Sequence, residues 1–140
     1  MTRKGNTKAA DAAFGDARLR MAKAFLKAAR DGLLLADEED YGNPVISNIV
    51  NAAIAFTDAV TARFAGEVNQ TDHAAAPQIL RHALGNLLPT AQETRLRRII
   101  HDKDEIQYGG RPKTKSDAET MLRLLEQYAE WCEMIYKRSK

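Results

Sequence analysis

The sequence predicts an all-α protein, a single-domain antiparallel bundle of about five helices. Composition points that way first. The 140 residues include 23 Ala and 13 Leu against 8 Ile and 4 Val, which suits helices and not strands. Periodicity is the second observation. Apolar residues recur at steps of three and four, and no convincing alternating strand stands out. Punctuation is the third. All four prolines fall between Pro44 and Pro112, mostly at or near the edges of periodic segments, as in a bundle with short loops. The length argues for one domain and allows an ordinary core without staples.

Residues 1–15 read as a basic arm, partly ordered, and residues 16–140 as the bundle. The first helix runs from Asp16 to Leu35, with a start near Thr7 as the alternative. Leu19, Ala22, Phe25, Leu26, Ala29 and Leu33 share one of its faces. Asp37 to Gly42 is an acidic loop. Asn43-Pro44 offers an N-cap followed by proline at the first helical position. The second helix then runs from Pro44 to Ala65. It is the most hydrophobic and therefore central, with Gly66 as its stop. Thr71 or Asp72 caps a third helix, in which Pro77 forces either a kink or a start nearer Ala75. Gly85-Asn86 ends it. Thr90 to Glu93 fits a capping box, so a fourth helix is expected from Ala91 to Gln107. Ser116 to Glu119 is a second box and opens a fifth helix to Lys137. Ala118, Met121, Leu122, Leu125, Tyr128, Ala129, Cys132 and Ile135 face inward there. Trp131 lies to one side, where with Met134 it either forms a dimer surface or covers the end of the bundle.

Several function classes are disfavoured. Cys132 is the only cysteine, so neither an intramolecular disulfide nor a cysteine zinc cluster is available. No apolar run nears the ~18 residues of a membrane span. Asp11 and Asp16 interrupt the alanines of the N-terminus, which leaves no secretory core segment. Together these imply a reducing, cytoplasmic location and no membrane. His73, His82 and His101 are spaced by nine and nineteen residues, which does not bring two onto one helical turn, so no metal site is expected. Gly109-Gly110-Arg111-Pro112-Lys113 lacks phosphate-loop spacing. No serine or cysteine stands beside a local base. No cofactor is implied. The net charge of +2 is too small to imply a nucleic-acid partner by itself. The distribution is uneven, however. Residues 1–30 carry eight basic and two acidic side chains, and residues 31–44 carry five acids and no base.

The fourth helix concentrates the chemistry. Leu96, Ile99, Ile100 and Ile106 form its buried stripe, and Lys103 falls inside that stripe. A lysine there snorkels or pairs with an acid, and Asp58 on the second helix is the candidate. Arg97 and His101 lie four apart on the opposite face, and Tyr108 follows His101 by seven. A histidine beside arginines suits acid–base work on a phosphodiester, because imidazole titrates near neutrality and guanidinium neutralises phosphate charge.

Three segments resemble HEPN domains, compact all-α bundles of about this size. Asn51-Ala-Ala-Ile-Ala-Phe-Thr-Asp58-Ala-Val resembles their alanine-rich second helix. Asp72-His73-Ala-Ala-Ala is similar to the start of their middle helix. Lys103-Asp-Glu-Ile-Gln-Tyr108 is similar to a basic-to-tyrosine pattern in bacterial relatives. The resemblance spans roughly residues 17 to 137. It implies a HEPN-like bundle that dimerises. It also implies functional positions at Asp72 and His73, although a loop aspartate before a helix is equally a plain cap. Many HEPN proteins are metal-independent ribonucleases with an arginine followed, after four to six residues, by a histidine. Arg95 and His101 have five residues between them. By resemblance, Arg95 is the phosphate-stabilising arginine and His101 the acid–base group. The chain departs at Leu96, where the family residue is usually polar. Two readings result. One is a non-catalytic HEPN-like module that binds RNA, a nucleotide or a protein partner through the fourth-helix face. The other is a toxin-like endoribonuclease that uses Arg95 or Arg97 with His101. Asp58, Lys103 and Tyr108 are expected to form a polar cluster in either case.

Overall fold

The computed structural model describes residues 7–70, 72–101 and 103–138. Residues 1–6 of the predicted basic arm, and Thr71 as a cap, lie outside them. Thr7–Ala9 forms strand β1, and Asp11 caps helix α1 (Ala12–Leu35) by accepting the Phe14 N–H at 2.8 Å. The first helix thus starts four residues before Asp16. Strand β2 (Glu67–Asn69) pairs antiparallel with β1, Lys8 opposite Val68. This small sheet corrects the strand-free reading. Three residues cannot establish an alternating pattern, so only the pairing reveals it.

Helix α2 (Asn43–Ala65) is buried without interruption from Ala52 to Ala62, as expected of a central helix. The other helices pack around it, and α1 lies along its length. Among the described residues it is the one helix long and apolar enough to cross a membrane, with mean hydropathy 1.4. Of that window, 83% is buried inside the fold, the setting of a core helix. The sequence shows no unbroken apolar run there because polar residues such as Thr57, Asp58 and Thr61 are spread through it. Thr57 Oγ1 donates to the Ala53 carbonyl at 2.8 Å and lies 2.5 Å from the Tyr128 hydroxyl. The hydroxyl of Tyr128 is thereby satisfied in a fully buried place.

The start of α2 differs from expectation. Asn43 does not cap the helix. Its amide instead grips the loop before the last helix, donating to the Arg111 carbonyl at 3.1 Å and accepting the Lys113 N–H at 2.8 Å. Gly42 occupies the cap position and donates its N–H to the Lys113 carbonyl at 2.7 Å. A Cβ on Gly42 would sit 2.3 Å from the Thr114 carbonyl oxygen, so only glycine permits this approach. At the other end Gly66, at φ 66°, closes α2 in the left-handed region.

Asp72 caps a 3₁₀ turn (His73–Ala75) that leads into α3 (Ala76–Leu84). Pro77 therefore stands in the first turn of α3, where its missing N–H is harmless. The predicted fourth helix is two helices, α4 (Thr90–Ile100) and α5 (Lys103–Tyr108). An unbroken helix would carry Lys103 into the buried stripe. The break returns Ile106 to the core at 6% exposure while Lys103 stays half-buried. The Thr90 capping box does not form either. Pro89 takes the cap position, and its carbonyl accepts the N–H groups of Gln92 and Glu93 at 3.0 and 3.2 Å. The second box forms two residues early, between Thr114 and Asp117, and opens α6 (Lys115–Arg138). The inward face of α6 is as predicted, with Met121 partly buried. Trp131 is 7% exposed and packs 6.0 Å from the Tyr128 ring, so it covers the bundle and Met134 alone is exposed.

Candidate functional site

Asp58 is a carboxylate in the middle of the most buried helix. Its partner is Arg18 of α1, whose Nε and terminal nitrogen lie 3.2 and 3.1 Å from Oδ2. The expected Lys103–Asp58 pair is not formed. Arg18 lies three residues after buried Gly15 and four before buried Ala22, which puts it on the inward stripe of α1. Small residues on both helices bring the backbones close, since a Cβ on Gly15 would meet Ala62 at 3.3 Å. A guanidinium at that position reaches Asp58 directly. Burial pushes the Asp58 carboxyl up to about 6, although Arg18 and, more weakly, Lys8 pull it back. Loss of hydration thus outweighs the attraction of two cations.

His73 stands beside this pair, half-buried in the 3₁₀ turn. Burial lowers its basicity, and the positive charges of Lys103 and Arg18 lower it further. The adjacent Asp72 opposes them. The role of Asp72 is structural in the first place, because its Oδ1 accepts the Ala74 N–H at 3.0 Å. Lys103 places its ammonium 5.5 Å from the centre of the Tyr108 ring, within cation–π range. That ring is 78% exposed. Gln107 anchors α5 to α2 through Ser47 and Asn51, at 3.1 and 3.3 Å. The result is a patch built from α1, α2, the 3₁₀ turn and α5. It carries Arg18 on the buried Asp58, and His73 within electrostatic reach of Arg18 and Lys103, with the Tyr108 ring open to solvent beside Lys103.

The other predicted residues lie elsewhere. Arg95 is half-buried and donates its Nε to Gln127 of α6 at 3.1 Å. Arg97 donates to Glu93 at 2.9 Å, and Glu93 also holds Arg81 at 2.5 Å. His101 is exposed at the end of α4. The break after Ile100 removes Tyr108 from the helical face expected to carry Arg97 and His101. Asp58, His73, Lys103 and Tyr108, which the sequence singles out, fall in this region, and Arg18, which it does not single out, is the partner of Asp58. The signal for Arg18 was present, a lone cation on a stripe of small buried residues.

No group of three or more histidine, cysteine, aspartate or glutamate side chains is placed to hold a metal among the described residues. Cys132 and Tyr128 are fully buried and both are pushed toward their protonated forms, chiefly by burial, so neither serves as a nucleophile. No protein-family model matches the chain, and no curated protein matches its sequence. The arrangement can do two things chemically. Its cations can neutralise a phosphate, and the Tyr108 ring can stack on a base.

Proposed function

We propose that this chain is a HEPN-like interaction module, cytoplasmic and homodimeric, that binds RNA or a nucleotide. The contact face is the second half of the predicted fourth helix, now α5, together with Arg18 and His73. One observation carries the reading. Two cations, Arg18 and Lys103, act on the same half-buried His73, and beside Lys103 an aromatic ring projects to 78% exposure. Tyrosine in that position loses the benefit of burial, and stacking on a base restores it.

The test is fluorescence anisotropy with a labelled single-stranded RNA over a range of salt. Wild type should bind with a log–log salt slope of about −1.4, from about −0.7 for each of two phosphate contacts, at Arg18 and Lys103. Tyr108→Ala and Lys103→Ala should each weaken binding about tenfold, the scale of one lost stack or charged contact. Binding that is equal in all three proteins would reject this face. No saturable binding by wild type would reject the ligand and favour a protein partner. The same samples incubated in EDTA address the second activity. RNA cleavage that disappears in His101→Ala would replace this reading with the metal-independent endoribonuclease that uses Arg95 and His101.

A further inference from the structure

Helix α1 carries two apolar stripes, and the bundle covers one of them. The buried stripe is Gly15, Ala22, Leu26 and Ala29. The second is Ala17, Met21, Ala24, Ala28 and Leu35, and all five are exposed. It lies roughly 140° around the helix from the first, at 100° per residue. With Asp31 its spacings run four, three, four, three and four residues. That is the heptad seam of two helices packed along their length. From Ala17 to Leu35 the seam is about 27 Å long.

Large apolar side chains are exposed at the same place. Seven are exposed among the described residues, and Met21, Leu34, Leu35 and Tyr41 are four of them. Leu34 and Leu35 reach 83% and 81% exposure. Grouped on one helix and the loop after it, such side chains mark a contact surface.

Charge identifies what covers this surface. From Ala12 to Arg30, α1 holds five basic side chains and one acid, whereas residues 31–44 hold five acids and no base. Arg20 is exposed beside the seam and forms no hydrogen bond or ion pair with any described residue. Asp37 and Glu39, exposed in the following loop, form no ion pair with any described residue. A face that is basic at one end and acidic at the other complements a copy of itself turned end for end. That alignment also opposes the two helix dipoles. When the whole seam is covered, Leu35 lies over the partner's Ala17, and Ala24 over the partner's Ala28. Large side chains then meet small ones. Arg20 falls beside the partner's Asp31 and about a turn and a half from the partner's Asp37. The two copies of Lys27 come together near the axis, and each is neutralised by its own Asp31 at 2.6 Å.

We propose that a second copy of this chain covers the exposed seam of α1, as an antiparallel, two-fold helix pair. This inference rests on the homodimer of the reading above and supplies its interface. RNA binding by α5 is independent of it.

Sedimentation velocity on the full chain, from about 1 to about 100 μM, reads the association. Wild type should be dimeric at the upper end. Ala24→Glu places a charge at the centre of the seam and should raise the dissociation constant at least about tenfold. Thr94→Glu on α4 should leave it unchanged. Ala24 and Thr94 are both exposed, so both variants retain the fold, which thermal melts verify. Oxidative cross-linking reads the orientation. A mixture of Ala24→Cys and Ala28→Cys should form a disulfide between the two variants, and neither should cross-link alone. Cys132 is buried and does not compete. A wild type that is monomeric at about 100 μM overturns the interface and the homodimer together, and leaves the face to a helix of a different protein. A dimer that Ala24→Glu does not weaken overturns the interface while the homodimer stands. Cross-linking of Ala24→Cys alone overturns the antiparallel pairing.

Discussion

Two ionic clusters in this molecule use the same chemistry with opposite results. In one, Arg18 meets Asp58 between α1 and α2. In the other, Glu93 of α4 takes Arg81 at 2.5 Å and Arg97 at 2.9 Å near the surface. Burial wins at Asp58 and raises its carboxyl to about 6. At Glu93 the hydrogen bond from Arg81 wins, and the carboxyl is held below its ordinary value. An arginine beside a carboxylate therefore does not define the energetics. The two carboxylates are similarly screened, 13% and 16% exposed, so what decides is depth in the fold and the number of arginines, one at Asp58 in the middle of α2 and two at Glu93 in the first turn of α4. The surface cluster fastens α3 to α4, whereas the buried pair stores an unfavourable charge next to the candidate site.

The largest expected effect tests that difference directly. Arg18→Met removes the partner of a buried carboxylate and should cost on the order of 3 kcal/mol at pH 7 in urea unfolding. Replacing both partners, as Arg18→Met with Asp58→Leu, should recover most of the loss, because no charge is left stranded. If the double variant is as unstable as the single one, the pair contributes through packing and the comparison fails.

Acid sharpens it further. Between pH 3.8 and about 6 the folded protein holds a proton on Asp58 that the unfolded chain releases. The folded state then binds more protons, so stability from this group rises as pH falls through that window. A gap of that size corresponds to about 3 kcal/mol. The stability of wild type minus that of Asp58→Asn should therefore grow by up to about that amount from pH 7 to pH 4. A flat or shrinking difference would show that Asp58 is hydrated in solution. Glu93 should behave in the reverse manner and more weakly. Its lowered carboxyl contributes stability above its unfolded value of 4.5 and loses it as pH falls through the lower folded value. The advantage of wild type over Glu93→Gln, under about 1 kcal/mol for a cluster whose arginines are 35% and 58% exposed, should vanish on acidification.

What could be read in advance follows the same division. Core faces were legible because burial imposes a period on apolar residues, and α1, α2 and α6 appear nearly where periodicity puts them. Contacts made by one or two side chains were not. Asn43 has the chemistry of a cap, yet its amide serves a loop about seventy residues away in sequence. Thr90 and Glu93 have the spacing of a capping box, but Pro89 already fixes the helix start and Arg81 takes the carboxylate. At the site, the rule that singled out Lys103, a cation on an apolar stripe, applies equally to Arg18. The two resolve differently because α1 is one continuous helix packed on α2 with Gly15 and Ala22 flanking Arg18, whereas the helix that would carry Lys103 inward is broken between α4 and α5.

Lys103 therefore gives the smallest stability effect and the most discriminating one. It is half-buried, and its ammonium lies 5.5 Å from the centre of an exposed ring. Lys103→Met keeps the length of the aliphatic stem and removes only the charge. The expected cost is about 0.5–1 kcal/mol, the range of an exposed cation–π contact, measured as a shift in urea midpoint. Basicity at His73 should rise, since one of the two cations that depress it is gone, and the His73 imidazole resonance followed through a pH titration reports this. A functional contact predicts more. The salt dependence of RNA binding should become shallower by about 0.7, the share of one phosphate contact, even though the fold scarcely changes. If Lys103→Met instead destabilises the protein as much as Arg18→Met, the lysine is part of the buried framework, and the ligand-binding role of α5 falls with it.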